Sequence, residues 1–521
     1  MLEPGGGGHR GFKKNGKTKT QQHDAKMIHP PHNNMYLQLL LGAGAITFST
    51  CLAILKILSL LTHSVGIAPP TQQQLKEENL DNSPLFRHVP SLKTKLAWRE
   101  LGDFPTPLHT SRVHVKDTGT MHFYVKREDL ASKRYGGNKV RTLQHLLATI
   151  EARHSSGDPT AASVIVTGTG GSNQILATVV HAQKLHIPAI TPVWMKDVPE
   201  LDNTLNMLST FTMKNVNRKE AKTWKDSGLL STLLLPLLTG NGIVLPPGGN
   251  TPAGVIGQMG AALELSEQII KGDMPDPHKI YLPVGSSCTI SGLILGITLS
   301  RQLGMDAFHK IQICGVPIHH AAAFAQRHMN FYTSAWATSI PLTIRHTIQV
   351  TCKELMQLGG PDLLADALKM MEDSNQVRLI TDTDIVGTYG AHSSLSKLAS
   401  KEYDRNGILI DIHTGQERDD QLWLCGHFTG KAFAAMRRDY IVYQKEHQNK
   451  PSSGEAEAPV YLFWQTKSNV QPRGNMDDEW SEFLNLPPAV QKWGDQGKSH
   501  SHLRQGVVNT KDTKHGPNGY R

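Results

Sequence analysis

Between Phe86 and Asn469, short apolar or β-branched runs alternate with helical patterns, and this alternation most constrains the fold. The strand candidates are His122–Lys126, Ser163–Thr167, Ile190–Trp194, Ile280–Val284, Ile311–Val316 and Val460–Trp464. Pro192 interrupts the third and removes a ladder donor there. Helical patterns follow most of these runs; Val140, Leu143, Leu146, Leu147 and Ile150 fall on one helical face. Strands that alternate with helices imply parallel sheets with helices on both sides, so the expected class is α/β. A chain of 521 residues allows two to four domains, and a hydrophobic share of 39% suffices for a sizeable core.

The ends are different. Residues 1–35 are rich in Gly, Lys, His and Asn and read as a disordered basic leader. An uncharged run from Leu37 to Leu55 follows, with apolar residues continuing past Lys56 to Leu61. That is about the length needed to cross a bilayer, so residues 36–62 are expected to form a single membrane-spanning or anchor helix. A buried core helix or a secretory apolar region is the other reading of such a run. Lysines on its N-terminal side would keep that end in the cytosol. A basic leader before an apolar span also suits the mitochondrial inner membrane, and the topology stays open. Residues 63–85 read as a Pro/Gln/Glu-rich linker, 86–469 as the globular region, and 470–521 as a polar tail.

Much of the formal net charge of +9 sits in the leader, where six Lys and Arg stand against Glu3 and Asp24, so the basicity reads as a property of a tail and not of a groove. No basic patch carries interleaved aromatics, and nucleic-acid binding is not expected. The five cysteines are scattered, odd in number and form no C-x-x-C, which argues against a disulfide framework or zinc knuckle. Buried thiols are the default, and the His319-His320 pair reads as structural or surface, with no metal site expected.

Three strand-to-helix turns carry the chemistry. The first is Gly136-Gly137-Asn138-Lys139. Its glycines allow close approach to the backbone, and a helix N-terminus favours a neutral amine, the form that attacks an aldehyde. On these residues alone a helix-capping loop with an exposed lysine reads equally well. The second turn is Val166-Thr-Gly-Thr-Gly-Gly-Ser-Asn-Gln174, and the third is Val284-Gly-Ser-Ser-Cys-Thr-Ile-Ser-Gly292. In open parallel sheets ligands sit beyond the strand carboxyl ends, where backbone N–H groups and hydroxyls bind anions. A phosphate turn, a carboxylate turn and a neutral lysine together describe a pyridoxal phosphate site. A dinucleotide motif does not fit, because the third spaced glycine and the later acidic partner are missing.

From about Phe104 to Asn469 the chain resembles the aminocyclopropane-carboxylate deaminase / D-cysteine desulfhydrase family, of the tryptophan-synthase-β type (fold type II). The resemblance rests on Phe104-Pro-Thr-Pro-Leu108, Val125-Lys-Arg-Glu-Asp-Leu130, Gly136-Gly-Asn-Lys-Val-Arg141, Gly171-Ser-Asn-Gln174, Leu245-Pro-Pro-Gly-Gly-Asn250, Gly285-Ser-Ser-Cys-Thr289, Gly387-Thr-Tyr-Gly390 and Phe428-Thr-Gly-Lys431, in order over roughly 360 residues. It implies two α/β domains, the smaller at about 118–240, with pyridoxal 5'-phosphate between them, a small amino-acid substrate and a homodimer. Lys139 resembles the lysine that links to the cofactor aldehyde and then moves protons at Cα. Asn173 resembles the residue bonded to the cofactor 3′-oxygen, and Ser172 the serine near the substrate carboxylate; Ser172 also reads as a helix cap. Ser286, Ser287, Cys288 and Thr289 resemble the phosphate loop, although Cys288 also reads as a small packing residue. Tyr389 resembles the tyrosine facing the substrate, or is simply a turn aromatic. Thr466 falls where the family places a residue near the pyridine nitrogen; a neutral hydroxyl there favours elimination over transamination.

Two stretches depart from the family. Where it usually reads Asp-Pro-Val-Tyr, this chain reads Cys425-Gly-His-Phe428, and a phenyl ring cannot carry a proton. Glu in the deaminase branch is replaced by Thr429, so ring opening of aminocyclopropane carboxylate is not expected. The late His-Thr-Gly-Gly stretch has become Gln465-Thr-Lys-Ser468. The expectation is a lyase that eliminates a β-thiol from a D-amino acid. A membrane-tethered pseudoenzyme that keeps the fold is the alternative.

Overall fold

Two sheets organise the described residues of this computed structural model, which are 65–194, 206–207, 209–211, 213–217, 222–223, 242–318, 339–447, 458–470 and 472. Helices α1 (Gln72–Glu77) and α2 (Pro84–His88) precede strands β1 (Leu108–Val115) and β2 (Gly119–Lys126). Next come α3 (Lys139–Ser155), β3 (Val164–Gly168), α4 (Asn173–Ala182), β4 (Ile190–Trp194), β5 (Lys222–Thr223) and β6 (Ile243–Leu245). They are followed by α5 (Pro252–Ile270), β7 (Lys279–Val284), α6 (Cys288–Gln302), β8 (Gln312–Pro317), α7 (Ser339–Gln357), α8 (Leu364–Glu372) and β9 (Val377–Leu379). The last elements are α9 (Thr383–Val386), α10 (Ser394–Asn406), β10 (Ile408–Asp411), α11 (Thr429–His447) and β11 (Tyr461–Trp464).

The smaller sheet, in the order β5-β4-β3-β6, is parallel throughout, and Pro192 sits inside it opposite Val166. The larger sheet has the order β10-β1-β2-β11-β7-β8-β9. It is parallel from β2 to β9, but β1 runs antiparallel to both β2 and β10, which corrects the expectation of purely parallel sheets. The β1–β2 hairpin turns through Asp117 (φ 59°) and Gly119 (φ 116°), left-handed positions that a tight reversal demands. Strand β11, last in the chain, lies between β2 and β7, with Leu462 opposite Tyr124 and Ile280. The carboxyl ends of β2, β11 and β7 are therefore neighbours.

Side chains alternate across the larger sheet as the strand period requires. Ile280, Leu282 and Val284 of β7 face a core built with α5, α6 and α7, whereas Tyr281 faces a second core with Phe433 and Met436 of α11. A third core joins Val164 and Val166 of β3 to Leu143, Leu146, Leu147 and Ile150 of α3, the helical face legible in the sequence. Both faces of the larger sheet are thus covered, the usual condition for parallel strands. The smaller unit begins after β2, which belongs to the larger sheet, and extends past 240 to include β6.

Residues 65–85, read above as a linker, are folded onto this body. Thr71 closes a capping box on α1, Gln74 donates to Ala148 O (3.0 Å) and to Glu151 (2.9 Å), and Leu85 and Phe86 are fully buried.

A buried ionic cage connects two of the sequence motifs. Lys126, at the end of β2, meets Glu264 of α5 at 2.6 Å, and Arg141 meets Glu128 and Glu264, each at 2.7 Å. Burial pushes the Glu264 carboxyl up, but Arg141 and Lys126 outweigh it and hold it at about 2. Arg141 lies two residues beyond Lys139, so the cage pins the first turn of α3.

Among the described residues no helix is long and apolar enough to cross a membrane. The run from Leu37 to Leu61, Cys51, the His319-His320 pair and the chain from 473 onward lie outside the described residues.

Candidate active site

Lys139 is the first residue of the 17-residue helix α3. Its loop must pass close to other backbone, which explains the two glycines. A Cβ on Gly136 would collide with Asp129 O, and one on Gly137 (φ 93°) would lie 2.6 Å from Thr466 O. Asn138 completes the anchoring: its N–H donates to Thr466 O (3.3 Å), its Nδ2 donates to Thr289 Oγ1 (2.8 Å), and its carbonyl accepts from Gln258 Nε2 (2.6 Å). The Lys139 amine donates to Gly248 O at 3.1 Å, and burial pushes its pKa below the ordinary lysine value. The Cys288 thiol opposes this shift and is itself pushed up by burial. A partly neutral amine is the chemically useful form for attack on a carbonyl carbon.

Gly248 lies on the turn after β6 with φ 72°. A Cβ there would overlap the Ser286 side chain and come within 3.5 Å of Lys139 Nζ. The amine, the Pro-Gly-Gly turn and the serine loop after β7 therefore converge. In that loop Ser287 adopts the left-handed conformation (φ 71°) as N-cap of the 15-residue helix α6. The first N–H groups of such a helix lack intrahelical acceptors and carry the positive end of its dipole, which favours an anion at this turn. Gly285 is exposed and Ser286 half-buried, while Ser287, Cys288 and Thr289 are buried. Cys288 packs, with its Sγ 3.7 Å from Gly249 O and 3.8 Å from Thr142 Oγ1. Thr289 holds Asn138. Of the four side chains expected in this loop, Cys288 and Thr289 are engaged elsewhere, which leaves the two serines, with Ser286 the more exposed, and the backbone.

Ser172 caps α4, its Oγ accepting from Gln174 N at 3.2 Å. Asn173 follows it on the first turn, half-buried. Tyr389 reaches the same β3 turn from the other side: its hydroxyl lies 2.7 Å from Thr169 Oγ1. Burial pushes its phenol up to about 12, so it is a neutral hydrogen-bonding group. Its ring packs edge-on against His427 (4.4 Å), which in turn stacks on Phe428 (4.0 Å, 6°). The turn that carries Tyr389 is held by buried Lys431, which donates to Thr388 O (2.6 Å) and Ile318 O (2.7 Å) and whose pKa burial lowers to about 8.

Thr466 enters through its backbone: its carbonyl accepts from Asn138 N and lies close against Gly137, whose own N–H donates to Glu128 O (2.7 Å). Sequence reading missed the roles of Asn138 and Gly248, although both lie in quoted motifs, and missed Lys467, whose amine reaches Asn173. The signal for Lys467 was its position within the altered late stretch.

The model of the family described as pyridoxal-phosphate dependent enzyme matches residues 99–415. Over 332 residues the chain is 26% identical to the D-cysteine desulfhydrases of Salmonella paratyphi C (strain RKS4594) and Salmonella schwarzengrund (strain CVM19633), in each case over 62% of this chain and 94% of the relative. Among solved structures, one described as an ACC deaminase homologue aligns with a TM-score of 0.47 and 19% identity, covering 77% of this chain and 99% of that one.

Proposed function

The chain belongs to the pyridoxal-phosphate dependent enzyme family, whose cofactor is pyridoxal 5'-phosphate, and from that premise we propose that it is a carbon–sulfur lyase of the D-cysteine desulfhydrase kind. The observation that carries this reading is the convergence of Lys139 Nζ, Gly248 and Ser286 at the strand carboxyl ends. The residues present fit the cofactor. Without a Cβ, Gly248 lets its backbone pass between the Ser286 side chain and the Lys139 amine, so an amine and a serine-lined helix N-terminus lie side by side, the pairing that an aldehyde and a phosphate on one molecule require.

In this reading Ser286 and the backbone of Ser287, Cys288 and Thr289 bind the phosphate. Asn173 would hold the ring oxygen, and Thr466 would offer its hydroxyl to the pyridine nitrogen. When bound, the cofactor supplies the electron sink that accepts the pair released at Cα. Lys139 takes the Cα proton and hands a proton to the departing thiolate, and burial lowers its basicity. Ser172 binds the substrate carboxylate. Tyr389, neutral and held by Thr169, orients the substrate and donates a hydrogen bond. The net reaction breaks the Cβ–S bond and consumes one water, releasing thiol or sulfide, pyruvate and ammonia. Similarity to relatives named D-cysteine desulfhydrase supports the choice of a sulfur leaving group and the D configuration.

The test is Lys139→Ala in the full chain. Loss of both the visible cofactor band near about 420 nm and pyruvate release is expected; an unchanged spectrum would remove Lys139 from its role. Phe428 favours a second reading, a cofactor-binding pseudoenzyme, because a phenyl ring cannot relay a proton. Cofactor binding with no product from a panel of D- and L-amino acids supports that reading, and activity restored by Phe428→Tyr would show which group was lost. The uncharged run from Leu37 to Leu55 supports a membrane anchor; release of the full chain from membranes by alkaline carbonate would overturn it.

A further inference from the structure

Lys467 follows β11, is 2% exposed, and its amine sits 4.5 Å from the centre of the Trp423 ring. It donates to Asn173 Oδ1 at 3.1 Å and lies 3.5 Å from Asn206 Oδ1. Asn173 Oδ1 also accepts from Tyr135 Oη (3.0 Å) and from Asn206 Nδ2 (2.6 Å), and that Asn206 amide donates in turn to Gly171 O (2.9 Å). Three donors thus surround one carbonyl oxygen that has two lone pairs.

This crowd decides which way the Asn173 amide faces. Rotating it by 180° would set its NH₂ against the Lys467 amine, which has no acceptor to offer once protonated, and against the Asn206 NH₂. Asn173 Nδ2, at the opposite corner of the amide, makes no hydrogen bond among the described residues. It belongs to a half-buried residue on the first turn of α4, next to the cap Ser172. A donor held in advance at that place costs no reorganisation when an oxygen arrives.

We propose that Lys467 is a positioning residue that clamps the Asn173 carboxamide so that Nδ2 is presented to the cofactor's ring oxygen. The inference rests on the reading of Lys139 and Asn173 as cofactor ligands. Lys467 lies three residues beyond β11, and its side chain reaches from there to the first turn of α4. The consequence is electronic as well as steric. With the cofactor bound, a donor at its ring oxygen would stabilise that oxygen's anionic form, so loss of the donor would raise the pH midpoint of the visible band.

The test uses the full chain loaded with pyridoxal 5'-phosphate, comparing Lys467→Met with the parent. The cofactor dissociation constant should increase roughly three- to tenfold, and the band's midpoint should move up by about half a pH unit, as expected for one weakened hydrogen bond. In an Asn173→Ala background, adding Lys467→Met should move the midpoint no further, because the lysine acts through the asparagine. Lys467→Gln, which keeps a donor, should stay close to the parent and covers the case in which the methionine variant fails to fold. A midpoint unmoved in Lys467→Met, or shifted equally in both backgrounds, overturns the clamp. If the parent takes up no cofactor, the functional reading fails and the clamp with it. If the parent is yellow and Lys139→Ala is not, while Lys467→Met shifts nothing, only the clamp fails.

Discussion

The amine of Lys139 lies 3.1 Å from the carbonyl oxygen of Gly248, although 109 residues separate them in the chain. That bond joins the first turn of α3 to the turn after β6 and brings the Lys139 nitrogen beside the serine loop.

Gly248→Ala therefore strikes the site directly. Its φ of 72° is strained for any side chain, and the new methyl would press on Ser286 and approach Lys139 Nζ. A loss of about 1–3 kcal/mol in stability is expected from the backbone alone. Cofactor affinity should fall by roughly an order of magnitude or more. Thermal melts with and without pyridoxal 5'-phosphate separate the two effects.

Glu264→Gln removes one of two carboxylates that neutralise buried Lys126 and Arg141. Breaking such a cage is expected to cost about 3–5 kcal/mol at neutral pH. The folded carboxyl titrates at about 2, below its usual 4.5, so Glu264 contributes its stability above 4.5 and loses it as the pH falls toward 2. Urea unfolding of parent and variant from pH 7 to pH 2.5 should show the gap between them narrowing across that window.

Tyr389→Phe removes the 2.7 Å contact with Thr169 and a neutral hydroxyl that faces the turn after β3. Turnover should fall roughly ten- to a hundredfold, the size of one to two lost hydrogen bonds, with the cofactor band retained. Because burial holds the phenol up at about 12, the parent's pH–rate profile should show no limb from this residue below about pH 11.

Cys288→Ala tests whether this thiol is packing or chemistry. Fully buried against Gly249 and Thr142 and pushed up in pKa, it should leave cofactor binding intact when replaced. Stability should drop by about 1 kcal/mol for the lost sulfur contacts.

Local pattern carried much of this site. Gly136-Gly137 announced a close backbone approach, which proved to be to Asp129 and Thr466, and the small-residue turns after β3 and β7 lie where the strand–helix alternation placed them. Strand β1 was missed because its inward positions include His109 and Ser111, polar residues satisfied by Arg127 and by Tyr403 and Ile408, which erase the apolar period. The short strands β6, β9 and β10 contain three or four residues each, too few to show a period. Residues 65–85 are polar enough to read as a linker, yet Gln74 finds a buried partner on α3 and Leu85 packs into the core that α5 helps to build.

By itself, then, the chain's local chemistry determined which residue types could do the work: a lysine behind two glycines, and hydroxyl-rich turns at strand ends. Only tertiary structure decided their company. Side-chain periodicity reports which face of an element is buried but not which distant element covers it. The insertion of β11 between β2 and β7 could not be read from spacing, and it is this insertion that sets Thr466 against Asn138 and brings Lys467 to Asn173 across 294 residues of chain.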